Sequence, residues 1–143
     1  MELSYKQLGP AEIEPAHEIL RLCGLDMQER LGLSHWVPAY PLEAMRRSAQ
    51  ERQVYAVLHE DQVIATFTIG TEIPAFYKNI LPIWEMWGVS AIRALYVNHL
   101  AILPSLQGQG LGRQCMQRIE RFAIEQACEA IRCAELRRAR RTE

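Results

Sequence analysis

The sequence predicts an α/β domain of the α+β kind, and three stretches carry that prediction. Arg93 to Leu103 is a near-continuous apolar run, as expected of a strand covered on both faces; Pro104 ends it, and a helical pattern begins at Leu111. Gln53 to His59 and Gln62 to Glu72 alternate as two strands joined by the short acidic turn Glu60-Asp61, the pattern of a hairpin. An opening strand, Glu2 to Leu8, is followed by a long helical stretch from Ala11 to about Leu31. With 143 residues, 49% of them hydrophobic, the chain reads as one domain spanning 1–143, large enough to bury a core.

Taken in order, the elements have local reasons. In the opening strand Leu3, Tyr5 and Gln7 share one side and Ser4, Lys6 and Leu8 the other, and Gly9-Pro10 stops it. In the helix that follows, Ile13, His17, Leu20 and Gly24 line one face with Ile19 and Leu22 beside it, and Gly24 is expected to break or bend it. His17 reads as a surface histidine. Gly32 to Tyr40 is a loop holding Trp36 and Tyr40 beside an exposed His35, and Pro41 opens a second helix at PLEAMRRSAQ. Ile73 to Ile92 is long, aromatic and interrupted by prolines, with Phe76, Tyr77, Trp84 and Trp87; it is too apolar for disorder and reads as a lid, a dimer surface or a cap on the sheet edge. After the strand at 93–103, Leu111, Cys115, Ile119, Phe122 and Ala127 form a helical face, and Ala130 to Leu136 reads as a last strand.

Composition excludes several classes. The net charge of −1 points to neither nucleic acid nor an anionic membrane, and Arg137 to Arg141 reads as a solvated tail. No apolar run is long enough to span a bilayer and the first residues lack a signal-peptide core, so the expected location is the cytoplasm. Cys23, Cys115, Cys128 and Cys133 contain no C-x-x-C pair. Cys115 and Cys128 sit in helical sequence and Cys133 in strand-like sequence. They read as small buried hydrophobes in a reducing compartment, not as a disulfide or zinc framework, and no metal is expected.

Gly108, Gly110 and Gly112 fall between strand and helix. Glycines let a ligand approach the backbone, and the free N–H groups of a helix start favour an anion. No Gly-Lys-Ser/Thr follows, so this is no Walker loop, and the spacing fails the G-x-G-x-x-G dinucleotide fingerprint. Glycines alone leave a ligand-free turn equally open. The whole string is more specific. Leu100-Ala101-Ile102, Pro104, then Gln107-x-x-Gly110-x-Gly112 resembles the pyrophosphate-binding motif, (Arg/Gln)-x-x-Gly-x-(Gly/Ala), of the Gcn5-related N-acetyltransferase (GNAT) superfamily.

That resemblance implies the GNAT acyl-CoA N-acyltransferase fold, a mixed central sheet flanked by helices, with the hairpin as strands two and three leading to a central fourth strand. It covers nearly the whole chain but only about three-quarters of the family fold: a closing helix and two strands are expected to be missing, since RRARRTE stands where they would start. It also implies acetyl-CoA as co-substrate. The diphosphate would sit on the backbone of Gly108, Gln109, Gly110, Leu111 and Gly112 with Gln107 and Arg113 nearby, and the backbone of Leu100, Ala101 and Ile102 would pair with the pantetheine and polarise the thioester. The implied activity is acetyl transfer to a primary amine of a small molecule or protein. The alternative is a non-catalytic CoA-binding or interaction module.

An amine nucleophile must shed a proton. His99, beside the thioester strand, is the first candidate base and Glu85, in the aromatic stretch, the second; a histidine bonded within the sheet is the plainer reading of His99. No tyrosine follows Tyr96, so the family's usual acid for the thiolate has no counterpart here. A fifth strand left as an open edge invites pairing, and a homodimer is expected from it.

Overall fold

The computed structural model describes residues 1–73 and 93–133. They form β1 (Ser4–Leu8), α1 (Glu14–Leu31), α2 (Leu42–Glu51), β2 (Gln53–His59), β3 (Gln62–Gly70), β4 (Ala94–Ile102), α3 (Leu111–Glu125) and β5 (Ala130–Cys133), with short 3-10 turns at Pro10–Glu12 and Pro104–Leu106. The sheet order is β1-β2-β3-β4-β5. The first four strands run antiparallel, and β5 lies parallel to β4. That parallel step needs a crossover, and α3 is the crossover.

The β2–β3 turn is tight because Glu60 and Asp61 both take left-handed φ values of 51° and 66°, the pair of dihedrals a two-residue hairpin demands. α3 lies on one face of the sheet, where Leu111, Cys115, Ile119 and Phe122 pack with Phe67, Ile69, Leu95 and Val97. On the other face Ile13, Leu20 and Met45 pack with Leu8, Val54 and Ala56. Tyr5 and Leu8 therefore contact opposite layers, as the alternation along β1 requires. Phe67 is fully buried and touches Tyr55, Tyr5 and Phe122 at centroid distances of 5.4, 6.2 and 6.4 Å. Burying such a side chain contributes about 1.5–3 kcal/mol.

Four expectations change. Gly24 neither breaks nor bends its helix, because α1 runs unbroken through it. Its missing side chain has another cause: a Cβ there would lie 2.6 Å from the Trp36 carbonyl oxygen and 3.1 Å from the Trp36 Cβ. Ala127 is exposed and off the α3 face, since the helix ends at Glu125 and Ala127 turns to a φ of 58° in closing the C-terminus. Cys128 follows that turn and is not helical. His17 is not a free surface histidine: its Nε2 lies 2.7 Å from the Tyr40 carbonyl oxygen. The aromatic stretch from 74 to 92, including Glu85, and the continuation of β5 beyond Cys133, on which the edge-pairing dimer was argued, lie outside the described residues. Among the described residues no helix is long and apolar enough to cross a membrane.

Candidate active site

β4 carries a bulge at its middle. Ile69 pairs with Val97 and Thr68 with Asn98, but Thr66 pairs with Ala101, so one residue of β3 faces two of β4, His99 and Leu100. His99 takes a φ of 56°, a left-handed conformation that histidine enters more readily than most side chains but still at a cost of about 1–3 kcal/mol. The extra residue re-phases the strand. Plain alternation would place residue 101 with Leu95 and Val97 against α3. Instead Ala101 packs with the α1 layer, and Leu100 and Ile102 pack against the α3 layer. His99 itself meets Tyr40 and Trp36, with ring centroids 4.3 and 6.4 Å away.

These rings border a pocket of about 390 Å³, lined by Leu20 of α1, His35, Trp36, residues 38–41 and His99. Two contacts hold the loop that makes most of this wall. His17 engages the Tyr40 carbonyl from one side, and the bare backbone of Gly24 lets Trp36 seat against α1. Trp36 both packs against the α1-layer core and lines the pocket, and the His99–Tyr40–Trp36 cluster is built from segments some sixty residues apart.

Beyond Ile102 the chain turns over Pro104–Leu106 and enters the glycine loop. Gly108 and Gly110 take φ values of 84° and 80°, and Gly110 caps α3. The first intrahelical bond is donated by Gln114 N–H to the Gly110 carbonyl at 3.2 Å, so the amides of Leu111, Gly112 and Arg113 precede it. The first turn of α3 holds no acidic residue. A Cβ built at Gly108, Gly110 or Gly112 would meet no atom of the described residues within 4 Å, so among them the loop offers an open backbone face. Free amides, a helix dipole and an exposed Arg113 make that face suited to a diphosphate.

The strand end and the loop are tied together. Leu103 N–H donates to the Ile64 carbonyl at 2.8 Å, and Ile102 is in register with Ala65. Ile102 is therefore a position whose own N–H and C=O face away from β3. Its carbonyl accepts from Gln107 Nε2 and from the Cys23 thiol, each at 3.0 Å. Burial pushes the Cys23 thiol up to about 11, so it stays protonated as a donor across the neutral range. The Gln107 side chain thus braces the strand end rather than pointing to the loop's open face, and the Ile102 N–H on that side lies beyond the β5 pairing among the described residues. β5 pairs with β4 only at Ala94 to Val97 among the described residues. Tyr96 is buried and its hydroxyl accepts from Arg132 Nη1 at 2.8 Å, a structural role.

The fold thus brings His99, the strand end at Leu100 to Ile102 and the loop from Gln107 to Arg113 onto one strand–turn–helix unit; Glu85 lies outside the described residues. Cys23, His17 and Leu20 were not legible as site residues. Their partners lie far along the chain, and the only local hint was a glycine inside a helix.

A family model described as Acetyltransferase (GNAT) family matches residues 25–141. No curated protein matches the chain. Solved structures do, at identities that speak for fold alone. An aminoglycoside acetyltransferase from an uncultured soil metagenomic sample, in complex with sisomicin, aligns at 16% identity and a TM-score of 0.60 over 99% of this chain and 87% of its own. A ribosomal-protein-alanine N-acetyltransferase from Brucella melitensis biovar Abortus 2308 aligns at 10% identity and a TM-score of 0.60, over 93% and 79%. AAC(6')-Iy in complex with the bisubstrate analog CoA-S-monomethyl-acetylneamine aligns at 10% identity and a TM-score of 0.61, over 94% and 80%.

Proposed function

The chain belongs to the GNAT acetyltransferase family, and from that premise we propose that it moves the acetyl group of acetyl-CoA to a primary amine. Its mixed five-stranded sheet with helices on both faces is the family's acyl-CoA N-acyltransferase fold. The observation that carries the proposal is the continuous unit from the His99 bulge through the Ile102 strand end to the left-handed glycines at the start of α3.

Acetyl-CoA supplies an activated acyl carbon. The amides of Gly108, Gln109, Gly110, Leu111, Gly112 and Arg113 hold the diphosphate, and the Arg113 guanidinium adds a charge-assisted contact. Gln107 and Cys23 fix the Ile102 carbonyl, which orients the peptide whose N–H faces the thioester arm beside Leu100 and Ala101. A backbone donor there stabilises negative charge on the acyl oxygen, because it is fixed before the reaction begins. His99 takes the proton from the incoming ammonium; the amine nitrogen bonds to the acyl carbon and gives up its second proton to water, the C–S bond breaks, and the thiolate gains a proton from water. Glu85 remains the second candidate for the base. Four cysteines with no disulfide among the described residues support a reducing compartment such as the cytoplasm.

Calorimetry with acetyl-CoA, followed by thiol release over an amine panel, tests the proposal. Saturable binding within the usual range of about 1 μM–1 mM and amine-dependent thiol release are expected. No binding heat at millimolar acetyl-CoA would remove the donor assignment and the activity with it. Binding without release for any amine would leave a CoA-binding module.

A further inference from the structure

One stripe of α1 does more than build core. His17, Leu20 and Gly24 stand three and seven residues on from one another, so they share one face of that helix. The segment from Trp36 to Tyr40 runs along this face in the opposite direction. Trp36 lies against the bare backbone of Gly24, Leu20 borders the pocket, and the Tyr40 carbonyl oxygen lies 2.7 Å from the His17 Nε2. A carbonyl only accepts, so the Nε2 carries the hydrogen. The first bond of α2 runs from Met45 N–H to the Pro41 carbonyl, which leaves the Tyr40 carbonyl outside the helix ladder, and His17 supplies its donor. Positions seven residues apart on a helix are about 10 Å apart along its axis, and the four steps from Trp36 to Tyr40 reach at most about 14 Å. Pinned at both ends, the segment has little slack, and the held carbonyl sets where the Tyr40 ring goes. That ring packs on the His99 imidazole with centroids 4.3 Å apart and planes at 52°, nearer than Trp36 at 6.4 Å.

We propose that His17 is a positioning residue: its bond to the Tyr40 carbonyl places the ring that orients the His99 imidazole toward the incoming amine. The inference rests on the acetyl-transfer reading above for its consequence in rate, and on the His17–Tyr40–His99 geometry for its consequence in structure. His17 stands outside the pocket lining, so its effect reaches the base through Tyr40. What the position needs is one N–H at that reach, which a glutamine amide also supplies; leucine fills the space without a donor.

Calorimetry with acetyl-CoA comes first, so that failure of the donor reading is seen separately as absence of binding heat in the parent protein; the variants should bind acetyl-CoA as the parent does. Thiol release at saturating acetyl-CoA, with 2-phenylethylamine, spermidine and sisomicin as amines, is then compared for His17→Leu, His17→Gln and Tyr40→Leu. In His17→Leu and Tyr40→Leu kcat should fall by about tenfold or more, and in His17→Gln it should return to within about twofold of the parent. The double variant His17→Leu/Tyr40→Leu should fall no further than Tyr40→Leu alone, because His17 acts through Tyr40. Proton–carbon NMR of the imidazoles reads the geometry independently of turnover. The Tyr40 ring current displaces the His99 ring-proton signals, a displacement expected to vanish in Tyr40→Leu and His17→Leu and to persist in His17→Gln. If none of the three amines is turned over, this spectrum decides. A kcat loss in His17→Leu that adds to that of Tyr40→Leu, no rescue in His17→Gln, or a His99 signal unmoved in His17→Leu overturns the proposal. Should the leucine variant not fold, His17→Asn, whose amide stops one bond short, carries the same expectations.

Discussion

The proposed donor loop and the proposed acceptor pocket are made of different material. From Gly108 to Arg113 the chemistry lies in main-chain amides, so the side chains matter mainly by being small. Around His99 the chemistry lies in side chains that three separate segments bring together: α1, the loop at 35–41 and the bulge of β4. A backbone site needs only the right dihedrals over a few consecutive residues. A side-chain pocket needs the packing of the whole layer. The two regions should therefore fail in different ways when disturbed.

The largest effect is expected at the bulge. His99→Gly removes the imidazole and suits the φ of 56°, so turnover should drop by about 10²–10⁴-fold while thermal stability holds or rises. An unchanged rate and pH profile would take His99 out of the mechanism. Next comes Gly112→Leu, a larger change than the alanine that the motif itself admits. This position is inside the first turn of α3 with open space beyond its Cα, and leucine favours helix over glycine by up to about 1 kcal/mol, so the fold should hold. Acetyl-CoA affinity should nonetheless fall by about tenfold or more, which is about 1.4 kcal/mol or more in calorimetry, because the side chain stands over the loop amides. A variant as stable as the parent and fully able to bind would end the loop assignment.

A third change separates the two regions. Gly24→Ala forces a Cβ into the Trp36 backbone, so stability should fall by about 1–3 kcal/mol in urea unfolding and the acceptor KM should rise. Donor affinity should fall less than acceptor affinity, because the displaced group is Trp36 whereas the loop's binding groups are the amides from Gly108 to Arg113; a parallel loss of both would show that the regions are coupled through Cys23 and Ile102. The smallest effect on turnover is a stability effect at high pH. Burial pushes the Cys23 and Cys115 thiols up to about 11. Both are neutral in the fold and ionise earlier once unfolded, so they stabilise fully below the ordinary thiol range and lose that contribution as pH rises toward 11. The decline should be on the order of 2 kcal/mol for each thiol between pH 8 and 11. Cys115→Ala and Cys23→Ala should each shrink it in urea titrations, one from the donor helix and one from the strand end.

Sequence by itself determined the periodic elements and the glycine loop. A period-two pattern places Tyr5 and Leu8 on opposite faces, a 3.6-residue pattern places Leu111, Cys115, Ile119 and Phe122 on one, and glycine in alternate positions ahead of a helix marks an open backbone. These are local signals, since each depends on dihedrals and spacing within a dozen residues. Only the tertiary structure decided what Gly24 is for, where His17 and Cys23 point, and which face of β4 carries Ala101. Each of those depends on a partner far along the chain or on a one-residue bulge that reverses the alternation. Such contacts are fixed by packing between layers, which no local pattern encodes.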